Sequence, residues 1–395
     1  MLLPRSLEIE IGRRTWPSNR PPAAFLSAAS QEVVDVATVL NLIGVLTTPP
    51  LSGGASLSEL WAFVRYFFAV TGDDDLRLTQ DFLDMDPHQK TILSDDFGMG
   101  FTMHWIASKL DLLAACDGRY FIENHLNQVG AVYSGGTGKR GLGKSPDFIA
   151  IDSLGKFHVI ECKGTQSSLN YRNQQLRDSG SIQKRTVRFP RSSAGERLCA
   201  GIFIAGPSGD ASSMRIIDPE PPEEYAVSET GIEAGHSAVA QGFLAKQLRS
   251  AGFARASAAV AFPTARREIE GLQVREERSD EWLRRIETGE QELASIEGRV
   301  FTAEGESFVG RRAVIQLPRP LETKRGVYMA AEVRRGIHRA SFEHVRRRPR
   351  DRPYLDPKES REFVGSFRSG ERQGRSWIMM GESYYSDIRL LRDFS

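Results

Sequence analysis

The run Ser145-Pro146-Asp147-Phe148-Ile149-Ala150-Ile151-Asp152-Ser153-Leu154-Gly155-Lys156-Phe157-His158-Val159-Ile160-Glu161-Cys162-Lys163-Gly164 holds two apolar segments with charges at their ends. Residues 147–152 and 157–163 are rich in Ile, Val and Phe and read as β-strands. Ser153-Leu154-Gly155 between them is a tight connection, with Gly155 free to adopt a positive φ. Strand side chains alternate between faces. Phe157, Val159, Glu161 and Lys163 therefore share one face, and His158, Ile160 and Cys162 the other. Glu161 and Lys163 fall side by side at a strand end, and a hairpin brings Asp147 close to them.

Two converging carboxylates repel and raise each other's pKa. A hard divalent cation resolves this, because Mg²⁺ takes oxygen ligands and keeps several waters. Such an ion can polarise a phosphoryl oxygen and activate a water. The adjacent lysine can orient that water or offset charge at phosphorus. The plainer reading is a hairpin with surface charges at one end, which leaves Pro-Asp, the spacing and Glu-x-Lys-Gly unexplained together.

Pro146-Asp147, thirteen intervening residues and Glu161-Cys162-Lys163 resemble the signature of the PD-(D/E)XK nuclease superfamily, the restriction-endonuclease-like fold. The resemblance covers roughly residues 104–220. It implies that Asp147 and Glu161 ligate Mg²⁺, with Mn²⁺ as a substitute, that the Cys162 carbonyl is a further ligand, and that Lys163 is the catalytic lysine. Members often add an acid from the helix before the first core strand, for which Glu123 is the candidate. Some add a glutamine on the helix after the lysine strand, and Gln183 fits that slot loosely.

The remaining features bound this reading. At 395 residues the chain has room for two or three domains. A net charge of +1 leaves no global nucleic-acid signal, so any contact with DNA must be local. Cys116, Cys162 and Cys199 are too dispersed for a disulfide framework or a zinc cluster, and fit a reducing cytoplasm. No signal-peptide core stands at the start, and the most apolar stretch, residues 33–46, is too short to span a bilayer.

Along the chain, residues 1–30 read as loop, with Pro17, Pro21 and Pro22 clustered. Residues 32–46, 57–70 and 75–85 read as helices of a small N-terminal α-domain ending near residue 100. A long helical pattern covers 101–128, broken near Asp117-Gly118, and residues 131–133 would form the first core strand. Residues 167–188 have helical composition, 198–204 and 214–217 read as strands, and 236–250 as an amphipathic helix. Helix, three strands, helix, strand is the core order expected of the nuclease fold. The domains are thus expected at 1–100, 101–252 and 253–395. The last would be a mixed accessory domain, with a charged helix at 266–296 and strands at 313–317 and 327–333. Trp282, Leu283, Ile286, Leu293 and Ile296 would be that helix's buried stripe.

Competing motifs carry less. Residues 138–145 formally match a P-loop, but Pro146 and a strand follow where a phosphate-binding helix must begin. The same run reads either as a basic loop whose Lys139, Arg140 and Lys144 touch DNA phosphates or as a solvated connector. Residues 94–100 read as a turn and helix cap. Residues 331–353 hold eight arginines against three acids. Arg346, Arg347 and Arg348 in that stretch read either as a phosphate-tracking patch or as a solvated face.

The expectation is an α/β (α+β) chain with a restriction-endonuclease-like core, flanked by a helical N-terminal and a mixed C-terminal domain. It would be a cytoplasmic, Mg²⁺-dependent nuclease hydrolysing DNA with a metal-activated water. A place in a bacterial restriction or anti-phage system follows by analogy, as does a homodimer or partner subunit for double-strand cutting. Two other classes remain: a non-cleaving protein that keeps the fold, and a P-loop nucleotide-binding protein.

Overall fold

The computed structural model describes residues 3–48, 66–70, 72–125, 129–130, 132–133, 145–182, 187–219, 225–262, 274–295, 299–347, 359 and 363–393. The chain opens with strands β1 (Pro4–Ile11) and β2 (Gln31–Asp35), then helix α1 (Val36–Leu46) and the long helix α2 (Pro87–Lys109). Strand β3 (Leu112–Asp117), helix α3 (Gly118–His125), the short β4 (Val132–Tyr133) and the hairpin β5 (Phe148–Asp152) and β6 (Phe157–Thr165) follow. Helix α4 (Leu169–Ile182), β7 (Val187–Arg188), β8 (Ala194–Phe203), β9 (Ser213–Ile217) and β10 (Tyr225–Ala226) lead to helices α5 (Ile232–Ser250), α6 (Ala254–Ala261) and α7 (Val274–Ala294). The last part holds β11 (Val300–Ala303), β12 (Glu306–Thr323), β13 (Gly326–His338), α8 (Arg339–Arg346), β14 (Phe367–Arg372), β15 (Arg375–Met380) and β16 (Tyr384–Leu391).

Seven strands form one mixed sheet in the order β2-β1-β9-β8-β6-β5-β3. Strands β5 and β6 pair antiparallel, as the Asp152–Lys156 turn predicts. Gly155 takes φ +73 in that turn, the region open to glycine. Strands β6 and β8 are parallel, which requires a crossover, and α4 supplies it. Helix α2, strands β3, β5 and β6, helix α4 and strand β8 follow one another along the chain, but helix α3 and β4 stand between β3 and β5 and β7 precedes β8, so the expected uninterrupted order is not met, and the first helix and first strand are not the segments expected. The chain from 101 to 128 is not one helix: α2 ends at Lys109, Asp111 turns the chain at φ 48, and β3 pairs with β5. Residues 132–133 instead pair with β10 in a small three-stranded sheet.

The N-terminal region also departs from expectation. Residues 4–11 are an interior strand of the main sheet, flanked by β2 and β9. Leu7 and Ile9 are buried, and Glu8 is exposed between them, a period-two pattern. The helix expected at 32–46 splits at Asp35, whose carboxylate accepts the Leu3 backbone N–H at 2.7 Å and the Thr38 hydroxyl at 3.2 Å. Of the 57–70 segment only residues 66–70 are described, 66–69 being helical, and within 75–85 only Gln80–Leu83 is helical. Because the sheet and α2 run across residue 100, the expected N-terminal helical domain is not a separate unit there.

Helix α5 spans the expected 236–250, β8 covers 198–203 of the expected 198–204, and β9 contains the expected 214–217. The C-terminal strands form a six-stranded antiparallel sheet, β11-β12-β13-β16-β15-β14, containing the two strands expected there. Ile286 and Leu293 of α7 are buried as expected, whereas Leu283 is exposed, and Ile296 lies outside the described residues. Helix α1 joins the two sheets: Asn41 donates to Ser376 O at 3.2 Å and accepts from the Ser386 hydroxyl at 2.9 Å. All three cysteines are buried, and none is joined in a disulfide.

Candidate active site

Asp147 immediately precedes β5, and the backbone fixes it from two sides. Its carbonyl accepts the Gly118 N–H at 2.9 Å, at the first residue of α3. A Cβ on Gly118 would lie 2.2 Å from Pro146 O, so glycine is needed for this approach. Across the hairpin the Cys162 N–H donates to Asp147 Oδ2 at 2.7 Å, and the Asp147 N–H donates to Glu161 Oε2 at 3.2 Å. Lys163 Nζ lies 2.7 Å from Glu161 Oε1. The structure thus brings Asp147, Glu161 and Lys163 together, and Glu161, at 2% exposure, is sealed against the sheet.

The electrostatics follow from this crowding. Burial, then the neighbouring Glu161 carboxylate, push the Asp147 carboxyl up to about 7; the Lys163 ammonium and the Cys162 N–H oppose them, and Asp95 adds to the rise. Burial disfavours the Lys163 ammonium, but Glu161 and Asp147 outweigh it and hold the group above its ordinary value. Lys163 is therefore held as an ammonium against Glu161 in this arrangement.

Asp95 is the residue that sequence reasoning missed. It stands in α2, the helix that precedes the first strand of the β3-β5-β6 order, and residues 94–100 are mid-helix rather than a turn or cap. The helix reaches β6 because two glycines meet. A Cβ on Gly98 would lie 2.6 Å from Gly164 N, and one on Gly164 would lie 1.6 Å from Ser94 O. That contact carries Asp95 into electrostatic reach of the pair. Partial burial raises its carboxyl above the ordinary range, and Lys163 pulls the other way. Burial pushes the next acid, Asp96, up to about 6, against a hydrogen bond from the Tyr66 hydroxyl. An acid three and five residues before two glycines, in the helix ahead of β3, was the signal available.

The other candidates fare differently. Glu123 pairs with Arg119 of its own helix at 2.8 Å and is not among the groups that perturb Asp147. Arg346 and Arg347 both pair with Glu343, at 3.3 and 3.4 Å, which fits the solvated face better than a patch reserved for phosphate. Gln183, Lys139, Arg140, Lys144 and Arg348 lie outside the described residues. The P-loop reading lacks its helix, since Ser145 is followed by Pro146, Asp147 and strand β5.

Among the described residues no three His, Cys, Asp or Glu side chains converge as a metal cluster. The donor set still suits Mg²⁺, which is commonly held by one or two carboxylates with waters and substrate oxygens filling the remaining positions. Asp147 and Glu161 are such a pair. Burial first, and then repulsion by Glu161, raise the Asp147 carboxyl, so nearby positive charge would stabilise the ionised forms.

No family model matches the chain, and neither the curated proteins nor the solved structures contain a match to it. Among the described residues no helix is long and apolar enough to cross a membrane.

Proposed function

We propose that the chain is a Mg²⁺-dependent nuclease with a restriction-endonuclease-like core, hydrolysing phosphodiester bonds of DNA. The observation that carries this reading is the convergence of Asp147, Glu161 and Lys163 on one hairpin, with Asp147 fixed by the Cys162 N–H. The antiparallel β5–β6 hairpin and the parallel β6–β8 pair, with α4 between them in the chain, support it. Asp147, Glu161 and the Cys162 carbonyl would hold Mg²⁺, or Mn²⁺ in its place. When bound, the ion supplies Lewis acidity toward the phosphoryl group. The Lys163 ammonium, oriented by Glu161, offsets negative charge developing on a phosphoryl oxygen. Asp95, on the crossing helix, adds negative potential that favours a cation at the pair. By analogy alone we extend the reading to a cytoplasmic enzyme of a bacterial restriction or anti-phage system, paired as a homodimer for double-strand cleavage.

The test incubates the purified chain with plasmid, linear and single-stranded DNA, and RNA, in Mg²⁺, Mn²⁺ or EDTA. Cleavage of DNA is expected with either ion and none in EDTA. Asp147→Ala and Lys163→Ala should each slow it by about 10²–10³-fold, the range for removing a group that stabilises transition-state charge. No cleavage under any condition, or variants as active as wild type, would overturn the assignment.

A second reading rests on one observation. The Lys163–Glu161 ion pair and the Cys162–Asp147 hydrogen bond satisfy the hairpin charges from within the protein. On that reading the chain binds nucleic acid without cutting it, and the same assay would return retention of DNA with no product.

A further inference from the structure

A concavity of about 380 Å³ lies on the C-terminal sheet and shares no lining residue with the Asp147 site. Its wall includes Arg299, Arg311, Arg312, Arg334 and Arg375, and Glu332 is the one acid lining it. Strand register explains the clustering. Arg312 lies directly across from Arg334, and Arg334 across from Asp387, so all three share one sheet face. Like charges placed opposite one another destabilise a sheet unless something offsets them.

Two acids offset part of the charge. Asp387, fully buried, takes Arg334 on both oxygens and Arg375 at 3.0 Å. Glu332 takes Arg312 and Arg375. The guanidinium groups of Arg312, Arg334 and Arg375 thus share the carboxylates of Glu332 and Asp387, one cation more than the acids, while Arg311, across from Arg335 on the opposite face, donates to Ser250 O at 2.9 Å. Concave, like-charged walls concentrate counter-ions. Arg312, held through its Nε by the buried Glu332 and otherwise exposed, keeps its terminal N–H groups for the fork geometry that fits phosphate oxygens, whereas Arg334 and Arg375 are engaged by Asp387, Glu332 and Thr302 O. Arg299 is set over the Phe253 ring at 5.3 Å, which fixes another guanidinium at the rim. Phe301, across from Phe308 on the Arg312 face, adds an apolar surface beside the cations.

We infer that this pocket binds the phosphate of a nucleotide, with the flat base against Phe301. The phosphate comes either from a free nucleotide or from the end of a nucleic-acid strand. The inference stands apart from the nuclease reading, since it uses none of the same residues and its test needs no cleavage.

Calorimetric titration of the full chain in EDTA with pyrophosphate, ATP and a 5′-phosphorylated single-stranded oligonucleotide tests it. Pyrophosphate and at least one nucleotide probe should bind saturably. Preference for ATP assigns a free nucleotide, and preference for the oligonucleotide a strand end; either supports the site. An Arg299→Ala, Arg312→Ala double variant should bind at least ten-fold more weakly with an unchanged unfolding midpoint. Arg312→Lys, which keeps the charge and loses the planar fork, should lie between. Arg347→Ala should bind as wild type. The inference is overturned if no probe binds wild type, or if the double variant binds as tightly as wild type.

Discussion

Asp147 Oδ2 accepts the backbone N–H of Cys162 at 2.7 Å, so the acid ahead of β5 is tied to one register of β6. A one-residue slip would send Glu161 and Lys163 to the opposite face. Burial and the neighbouring Glu161 set the protonation balance of the site, and this bond opposes them. Because the folded-state carboxyl is raised from 3.8 to about 7, its contribution to stability is fully present below about pH 4 and is lost as pH rises through 7. In EDTA, Asp147→Asn should therefore raise the thermal midpoint at pH 8 relative to wild type and leave it little changed at pH 4. One pKa unit corresponds to about 1.4 kcal/mol, so a gain of a few kcal/mol is the ceiling. Equal midpoints at pH 8 would sink this account.

Asp95 and Glu123 make opposite predictions for cleavage. Asp95→Asn should lower the rate by about 10–100-fold, the usual cost of losing a supporting group around a metal. Glu123→Gln, which only breaks an exposed pair with Arg119, should leave it unchanged. Single-turnover rates in Mg²⁺ decide the matter, and the reverse ranking would reject Asp95 as the supporting acid.

The α2–β6 crossing is too close for side chains. Gly164→Ala places a methyl group 1.6 Å from Ser94 O, and backbone must move to admit it. A destabilisation of at least about 1–3 kcal/mol is expected by urea unfolding. Gly374→Ala, at a φ of 72 with open space around the Cβ, separates backbone strain from overpacking and should cost less. If Gly164→Ala were neutral, the close crossing would be refuted.

Lys246 is buried on α5 and holds three elements at once: it pairs with Asp117 at 2.8 Å and donates to Leu46 O at 2.5 Å and Thr48 O at 3.1 Å. Lys246→Ala leaves Asp117 and two carbonyls without this donor, and about 3–5 kcal/mol should be lost. Lys109→Ala, which breaks a partly exposed pair with Glu32, should cost no more than about 1 kcal/mol. Comparable losses from the two would show that the buried lysine is not a keystone.

The hairpin was readable because everything that specifies it is local: two apolar runs, Gly155 between them, and acids at fixed offsets. Strand β3 was not, because Leu112–Asp117 continues the apolar character of the helix before it. The break falls at Asp111, whose positive φ is one that aspartate tolerates without announcing it. Asp95 was hidden by Gly98 and Gly100, which resemble helix breakers in sequence. In the structure Gly98 abuts β6, and Gly100 abuts Val39 and Ile43 of α1. The arginine pocket was missed for a different reason: Arg299, Arg312, Arg334 and Arg375 are dispersed in sequence and meet only through the sheet register. The apparent run near residue 347 drew the attention that belonged to them.

The interior position of β1 has a consequence for how the chain reaches this state. Glu8 pairs in parallel with Ser213, 205 positions later. Loop closure over that distance must precede any return from the contact, which places completion of the sheet late in folding. Until then β9 presents an unpaired edge, the kind of surface on which chains associate. A short peptide matching residues 4–11 should therefore compete with the chain's own strand during refolding, yet fail to displace it once the native state has formed.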